Sequence, residues 1–173
     1  DFEEPFTEET PLAPNSPYAA SKTSADLLCR SFYETYKYPI MITRCSNNYG
    51  PNQYPEKLIP LMIKKAKNNE KLPVYGNGLN VRDWIHVQDH CEAIDAVLHK
   101  GNNGEVYNIG GECEKTNLEI VNTIINSFGG EIEYVEDRKG HDWRYAMNIS
   151  KIKNELGWNP KIKFKDGIKE LIK

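Results

Sequence analysis

The sequence lacks any apolar run approaching the roughly 20 residues that a membrane-spanning helix needs, and no signal-peptide pattern opens it. It also lacks an excess of charge. Lys and Arg number 22 against 25 Asp and Glu, a net charge of −3, and the bases are interleaved with acids rather than gathered into an arm or stripe. That gives nucleic acid or an anionic membrane no footing as a partner. Cysteine is sparse: Cys29, Cys45, Cys91 and Cys113 are widely spaced, with no C-x-x-C. They read as reduced, mostly buried thiols of a cytoplasmic protein, not as a disulfide or zinc framework. Internal repeats and low-complexity segments are absent as well. What is there is 173 residues, 39% of them hydrophobic, the length of one ordinary domain and enough for a real core.

Residues 1–16, DFEEPFTEETPLAPNS, are acidic and Pro-rich with no helix or strand period. They read as a loop leading into something, as though the chain begins inside a larger protein. Ser16 then predicts a helix cap, with Pro17 at the first helical position, where its missing N–H costs nothing. This helix is expected to reach about Lys37 and stop before Tyr38-Pro39. IMITRCSNNYG predicts one strand feeding a polar loop, and PEKLIPLMIKKAKNN an amphipathic helix. LPVYGNG and RDWIHV predict short strands around a Gly-rich turn. VQDHCEAIDAVLHKG predicts a helix closed by Gly101. EVYNIGG and EIEYVED read as strands, Thr116-x-x-Glu119 as a capping box opening a helix, and two short helices follow, from Ser150 to Gly157 and over the last ten residues. Strands alternating with helices indicate an α/β chain.

One stretch of the first helix raises a chemical question. NSPYAASK, residues 15–22, puts Lys22 four residues after Tyr18, on the same face. A phenol titrates near about 10, and a neighbouring ammonium stabilises the phenolate. Such a tyrosine can take a proton from an alcohol while hydride leaves the same carbon. Tyr33 and Lys37 repeat the spacing on the same helix, but Lys37 falls in the last turn, where the helix dipole welcomes a cation. At about 100° per residue, Tyr18, Lys22, Ala25, Cys29, Phe32 and Tyr36 share a stripe expected to be buried, with Lys22 its only charge. Spacing and stripe alone leave a functional lysine and a snorkelling one equally open.

SPYAASK resembles the Y-x-x-x-K motif of the extended short-chain dehydrogenase/reductases, the nucleotide-sugar modifying enzymes. RCSNNYGP with PEKLIP, then LPVYGNGLNVRDWIHVQDHCEAI, GEVYNIGG, EKTNLE and DRKGHDWRYAMN, is similar to the dTDP-glucose 4,6-dehydratase branch, in order and near its spacing, from about Ser16 to the end. The resemblance implies the C-terminal part of a Rossmann-type parallel sheet plus a smaller mixed α/β substrate domain. Residues 1–50 would be the remnant of the NAD-binding domain and 51–173 mainly the sugar-nucleotide domain, with 105–111 a strand returning to the Rossmann sheet. It implies NAD as cofactor, dTDP-glucose as substrate, a homodimer for the full-length enzyme and no metal. The family's G-x-x-G-x-x-G loop and its Thr-Asp-Glu acid/base segment do not occur in these residues. Sister epimerases or decarboxylases, and a binding module without chemistry, are the alternatives.

Residue by residue, the resemblance makes Tyr18 the base of the oxidation step, with Lys22 favouring its phenolate and gripping cofactor ribose. Asn47 would face the sugar diphosphate and Asn48 the nicotinamide, whereas Asn-Asn before Tyr-Gly reads on sequence alone as a turn. Lys57 and Leu58 would contact substrate at a helix start; Lys57 otherwise reads as a solvated charge. Pro73, Tyr75 and Arg82 would frame the nucleotide, with Tyr75 along the base and Arg82 on a phosphate; the plain alternative for Arg82 is an ion pair with Asp83 or Asp89. Asn117, Asp137, His141 and Tyr145 would complete the nucleotide contacts, against readings as helix-start polarity and a solvated connector, and Trp143 as a loop anchor. His86 and His90 stand four apart beside Asp89 and Cys91. Zinc is conceivable there, but a strand-ending His86 and a helical His90 need not share a face, and a hydrogen-bonding role for His90 ranks ahead of it.

Overall fold

The computed structural model describes residues 4–173. Helix α1, Pro17–Tyr36, starts as expected: the Ser16 hydroxyl accepts from the Ala19 N–H at 3.1 Å, and Lys37 closes the helix in the left-handed conformation. Its buried side is not the expected stripe. No residue of α1 is buried; Ala19, Thr23, Asp26, Cys29 and Tyr33 are half-covered, while Tyr18, Lys22, Ala25, Phe32 and Tyr36 face solvent. The face turned to the protein is set by anchoring, not by hydrophobicity. Asp26 pairs with Arg44 at 2.7 Å, and the Tyr33 ring fills the space beside Gly104, where any Cβ would collide with it. Phe32, Tyr36 and Tyr38 pack among themselves, with centroids 5.6–5.9 Å apart, Phe32 and Tyr38 stacked and the other two pairs tilted.

The stretch predicted as one strand is two. β1, Ile42–Cys45, runs parallel to β5, Val106–Ile109, in register Ile42 to Val106. Ser46 still donates its N–H to the Ile109 carbonyl at 2.9 Å. The chain then changes partner. β2, Asn47–Tyr49, pairs in parallel with β4, Val81–His86. Against β4 lie β6, Glu114–Thr116, antiparallel, and the two-residue β8, Arg144–Tyr145, parallel. β6 and β8 are too short for alternation to show in sequence. β3, Leu72–Tyr75, and β7, Ile132–Val135, form a separate parallel pair.

The helices cover these ribbons. α2, Leu58–Lys67, and α4, Asn117–Phe128, pack on one another and bury Ile59, Met62 and Ala66 against Ile120, Val121 and Ile124. Thr116 and Glu119 form the expected capping box. Tyr49, Trp84, Phe164 and Ile168 complete this core, the last two from α6, Phe164–Leu171. A second core lies around β5, where Tyr107 and Ile109 meet Ala93 and Val97 of α3, Val87–Lys100, and Ile152 and Leu156 of α5, Ser150–Leu156. Each fully buried Ile or Val contributes about 1.5–3 kcal/mol by leaving water. Gly101 does follow α3, but with extended rather than left-handed geometry, at φ −68 and ψ 153. All four cysteines are free thiols; the expectation of mostly buried ones fails, because Cys91 lies on the outer side of α3 and the other three are only half-covered.

Candidate active site

The change of partner at Ser46 falls at the C-terminal end of β1, the place where a ligand site is expected in an open α/β sheet. Lys22 Nζ lies over the Tyr18 ring, 5.8 Å from its centroid, and Tyr18 is 73% exposed. The Lys22 charge reaches Cys45, whose thiol burial nevertheless holds above its ordinary range. The Tyr145 hydroxyl donates to the Cys45 carbonyl at 3.4 Å. Burial, with smaller contributions that include Cys45 and Tyr18, pushes Tyr145 up to about 12. Tyr145 is therefore a neutral hydrogen-bonding group beside the end of β1.

Asn48 stands beside them as a strand residue, not a turn. Its Nδ2 donates to the Ser46 carbonyl at 3.2 Å and lies 3.6 Å from Cys45 Sγ, while Oδ1 is 2.8 Å from His90 Nδ1. Burial lowers the His90 pKa, which favours the neutral imidazole. Asn47, its neighbour on β2, projects to the other side of the ribbon. Tyr18, Lys22, Asn48 and Tyr145 are thus brought together. Cys45 joins them unforeseen; its one sequence signal is its place at the strand's end, just before Ser-Asn-Asn.

A second group gathers at the Gly-rich turn. The Arg138 guanidinium lies over the Tyr75 ring at 5.3 Å, and His141 Nδ1 meets Asp137 Oδ1 at 2.6 Å. That hydrogen bond is the main reason the Asp137 carboxyl sits below its ordinary range. Arg82 donates to the carbonyls of Val81 and Asp142, both at 2.7 Å, and Asn80 Nδ2 reaches the same Asp142 oxygen at 3.2 Å. The ion pairs considered for Arg82 do not form, because both acids are engaged elsewhere. Asp83, buried and raised above its usual range chiefly by that burial, accepts the N–H groups of Gly111 and Cys113 at 3.0 and 2.7 Å. Asp89 accepts those of Lys161 and Ile162 at 3.0 and 2.8 Å. Among the described residues, Arg82 has no carboxylate at ion-pair distance, and burial lowers its pKa. It is a half-buried cation suited to an anionic ligand.

Asn117 opens α4 with its N–H on the Asn80 carbonyl at 3.1 Å, which ties it to the same turn. Pro73 shares the face of β3 with Tyr75, two residues on. Tyr145 is opposite Arg82 in the β4–β8 register and so links the two groups. Lys57 stands apart: it is exposed, its ammonium 3.5 Å from Glu56, and Leu58 beside it packs on the core under α2. Trp143 is half-exposed, and its carbonyl accepts from Val81 at 2.8 Å, so it does anchor the loop through its backbone. His86 ends β4 and caps α3 through Nδ1, which accepts from the Gln88 N–H. No group of three or more His, Cys, Asp or Glu placed to hold a metal ion occurs among the described residues.

A Tyr-x-x-x-Lys helix at the end of a parallel strand pair, with Arg82 and Tyr145 facing one another on β4 and β8, characterises an α/β chain with parallel strands. Residues 2–171 match the family model described as GDP-mannose 4,6 dehydratase, and the chain belongs to that family. Within it, the chain is a homologue of dTDP-glucose 4,6-dehydratases. The enzyme of that name from Xanthomonas campestris pv. campestris is 52% identical, over 96% of this chain and 51% of its own length. The solved dTDP-glucose 4,6-dehydratase of Bacillus anthracis, in complex with NAD, is 62% identical with a TM-score of 0.93, over 98% of this chain and 55% of that one. That of Streptomyces venezuelae, also with NAD bound, is 47% identical with a TM-score of 0.96, over 99% and 54%. The chain spans about half the length of the curated relatives it matches.

Proposed function

We propose that this chain carries the tyrosine–lysine pair and the nucleotide-sugar side of an NAD-dependent dTDP-glucose 4,6-dehydratase, a cytoplasmic lyase that forms dTDP-4-keto-6-deoxyglucose. The observation that supports this reading is the grouping of Tyr18, Lys22, Asn48 and Tyr145 around Cys45, with Arg82 opposite Tyr145 in the β4–β8 register and, among the described residues, without a carboxylate at ion-pair distance. NAD would accept the hydride from C4 of the sugar and, once water has been lost across C5–C6 (the C5 proton and the C6 hydroxyl), would return it to C6. The chain's own residues do the rest of what is proposed here. Tyr18 takes the C4 hydroxyl proton, helped by the Lys22 ammonium. Lys22 and Asn48 hold the cofactor's ribose and nicotinamide ends. Asn47, Lys57 and Leu58 line the sugar-diphosphate path. Pro73, Tyr75, Arg82, Asn117, Asp137 and His141 take the nucleotide, with Arg82 on a phosphate and Tyr75 along the thymine. In this reading residues 1–50 and the returning segment 105–111 belong to the cofactor domain, and the remainder of 51–173 to the substrate domain. A homodimer of the full-length enzyme, with α1 at its interface, is supported by the exposed Leu27, Leu28, Phe32 and Tyr36.

These residues hold no glycine-rich pyrophosphate cradle. The full 173-residue chain is therefore expected to bind NADH and dTDP only weakly, on the order of millimolar, about −4 kcal/mol, and not to turn over. The test is incubation with dTDP-glucose and NAD, read by the alkali-dependent absorbance of a 4-keto sugar, beside ligand-detected NMR for binding. Turnover would show that these residues suffice. Failure to bind either ligand at millimolar concentration would sink the functional reading.

A further inference from the structure

Asn48 is held at each of its polar groups. Its backbone carbonyl accepts from Gln53 Nε2 at 2.8 Å. Its side-chain Nδ2 is occupied by the Ser46 carbonyl and by Cys45 Sγ, at 3.2 and 3.6 Å. The reverse orientation of the amide would set Oδ1 against the Ser46 carbonyl oxygen, acceptor facing acceptor. The network therefore assigns Oδ1 to the His90 side. At 2.8 Å from that oxygen, His90 Nδ1 has to carry a hydrogen.

From this we infer that His90 is a positioning residue for the cofactor face of the site: as the Nδ1–H tautomer it completes, from the Oδ1 side, the hold that the Ser46 carbonyl and Cys45 Sγ have on the Asn48 carboxamide. The inference rests on the dehydratase reading above and adds to it a residue which that reading does not use. His90 belongs to the first turns of α3, which packs on β1, β2 and β5. The helix thus transmits its placement to Asn48 through one hydrogen bond. With both amide hydrogens engaged, Asn48 keeps only a lone pair on Oδ1 for a ligand. It meets the cofactor as an acceptor, a role that a freely rotating amide would not define. Burial supports this by favouring the uncharged ring, since the tautomer is meaningful only while the ring is neutral.

Two readouts on the full chain test the inference. Long-range proton–nitrogen NMR correlations report the imidazole tautomer. The unsubstituted chain is expected to show His90 protonated on Nδ1, and Asn48→Leu to shift it toward Nε2. Nε2 protonation in the unsubstituted chain, or a tautomer indifferent to Asn48→Leu, overturns the inference. Saturation transfer to NADH is the second readout. His90→Leu is expected to weaken it about tenfold, 1.4 kcal/mol, beyond detection from a millimolar start. His90→Asn, whose amide nitrogen can stand near the former Nδ1, is expected to restore it. Undiminished transfer by His90→Leu also overturns the inference. If the unsubstituted chain shows no transfer to NADH, the cofactor reading fails by itself, and the tautomer readout alone decides whether His90 positions Asn48.

Discussion

Lys22 lies over the ring of Tyr18 at 5.8 Å, and Lys37 lies over the ring of Tyr33 at 5.1 Å. The two pairs share a helix, a spacing and nearly a geometry. What separates them is surroundings: Lys22 acts on the Cys45 thiol and Tyr18 on Tyr145, whereas Tyr33 packs beside Gly104 and Lys37 ends the helix near Glu34. Lys22→Met is therefore expected to abolish the weak NADH binding, and Lys37→Met to leave it unchanged, both read by saturation transfer. Equal losses would mean that the lysines act only through overall charge.

Asp83 bonds two backbone N–H groups deep in the fold, those of Gly111 and Cys113. Replacing it with alanine strands both donors, at about 1–3 kcal/mol each. Asp83→Ala is expected to lower unfolding stability by about 2–6 kcal/mol in urea titrations. A change under about 0.5 kcal/mol, the scale of an ordinary surface substitution, would mean that other acceptors take over.

Gly167 on α6 faces the Tyr49 hydroxyl, which would stand 2.6 Å from an added Cβ. Tyr49 is buried and its hydroxyl has no hydrogen-bond partner among the described residues. Gly167→Ala is expected to cost about 1–3 kcal/mol by overpacking, and Tyr49→Phe to recover part of it, because the ring carbons remain close. Strict additivity of the two changes, measured by a double-mutant cycle, would show that the hydroxyl is not the obstacle.

The Asp137–His141 contact makes the 137–143 loop acid-sensitive. Asp137 is depressed in the fold, chiefly by the hydrogen bond from His141. A depressed carboxyl contributes stability above its unfolded pKa, about 4, and loses it as pH falls through the lower folded value. Amide exchange at His141, whose N–H bonds the Arg138 carbonyl at 3.3 Å, is expected to speed up below about pH 4. In Asp137→Asn that step should vanish; its persistence would assign it to another group.

Local chemistry is what the sequence makes readable. Ser16-Pro17, the Thr116–Glu119 box and the Gly157 terminus each act within one helical turn, so their positions follow from residue type and short spacing. The Tyr18–Lys22 spacing was visible for the same reason, whereas Asn48 read locally as a turn and only the family resemblance marked it as a site residue. The burial of α1 was not. A periodic apolar stripe says which residues share a face, but a single ion pair from Asp26 to Arg44 and one ring against Gly104 turned a different face inward.

The amino-acid order by itself determined the helix ends, the main strands, the family and the residue types available for catalysis, because these depend on interactions within a few residues or on motif spacing. Only the tertiary structure decided that the strand breaks at Ser46, that His90 reaches Asn48 and that Arg82 finds carbonyls in place of Asp83 or Asp89. Those outcomes turn on which of several chemically equivalent partners, tens of residues apart, the packed sheets bring within about 3 Å, a choice that spacing along the chain does not encode.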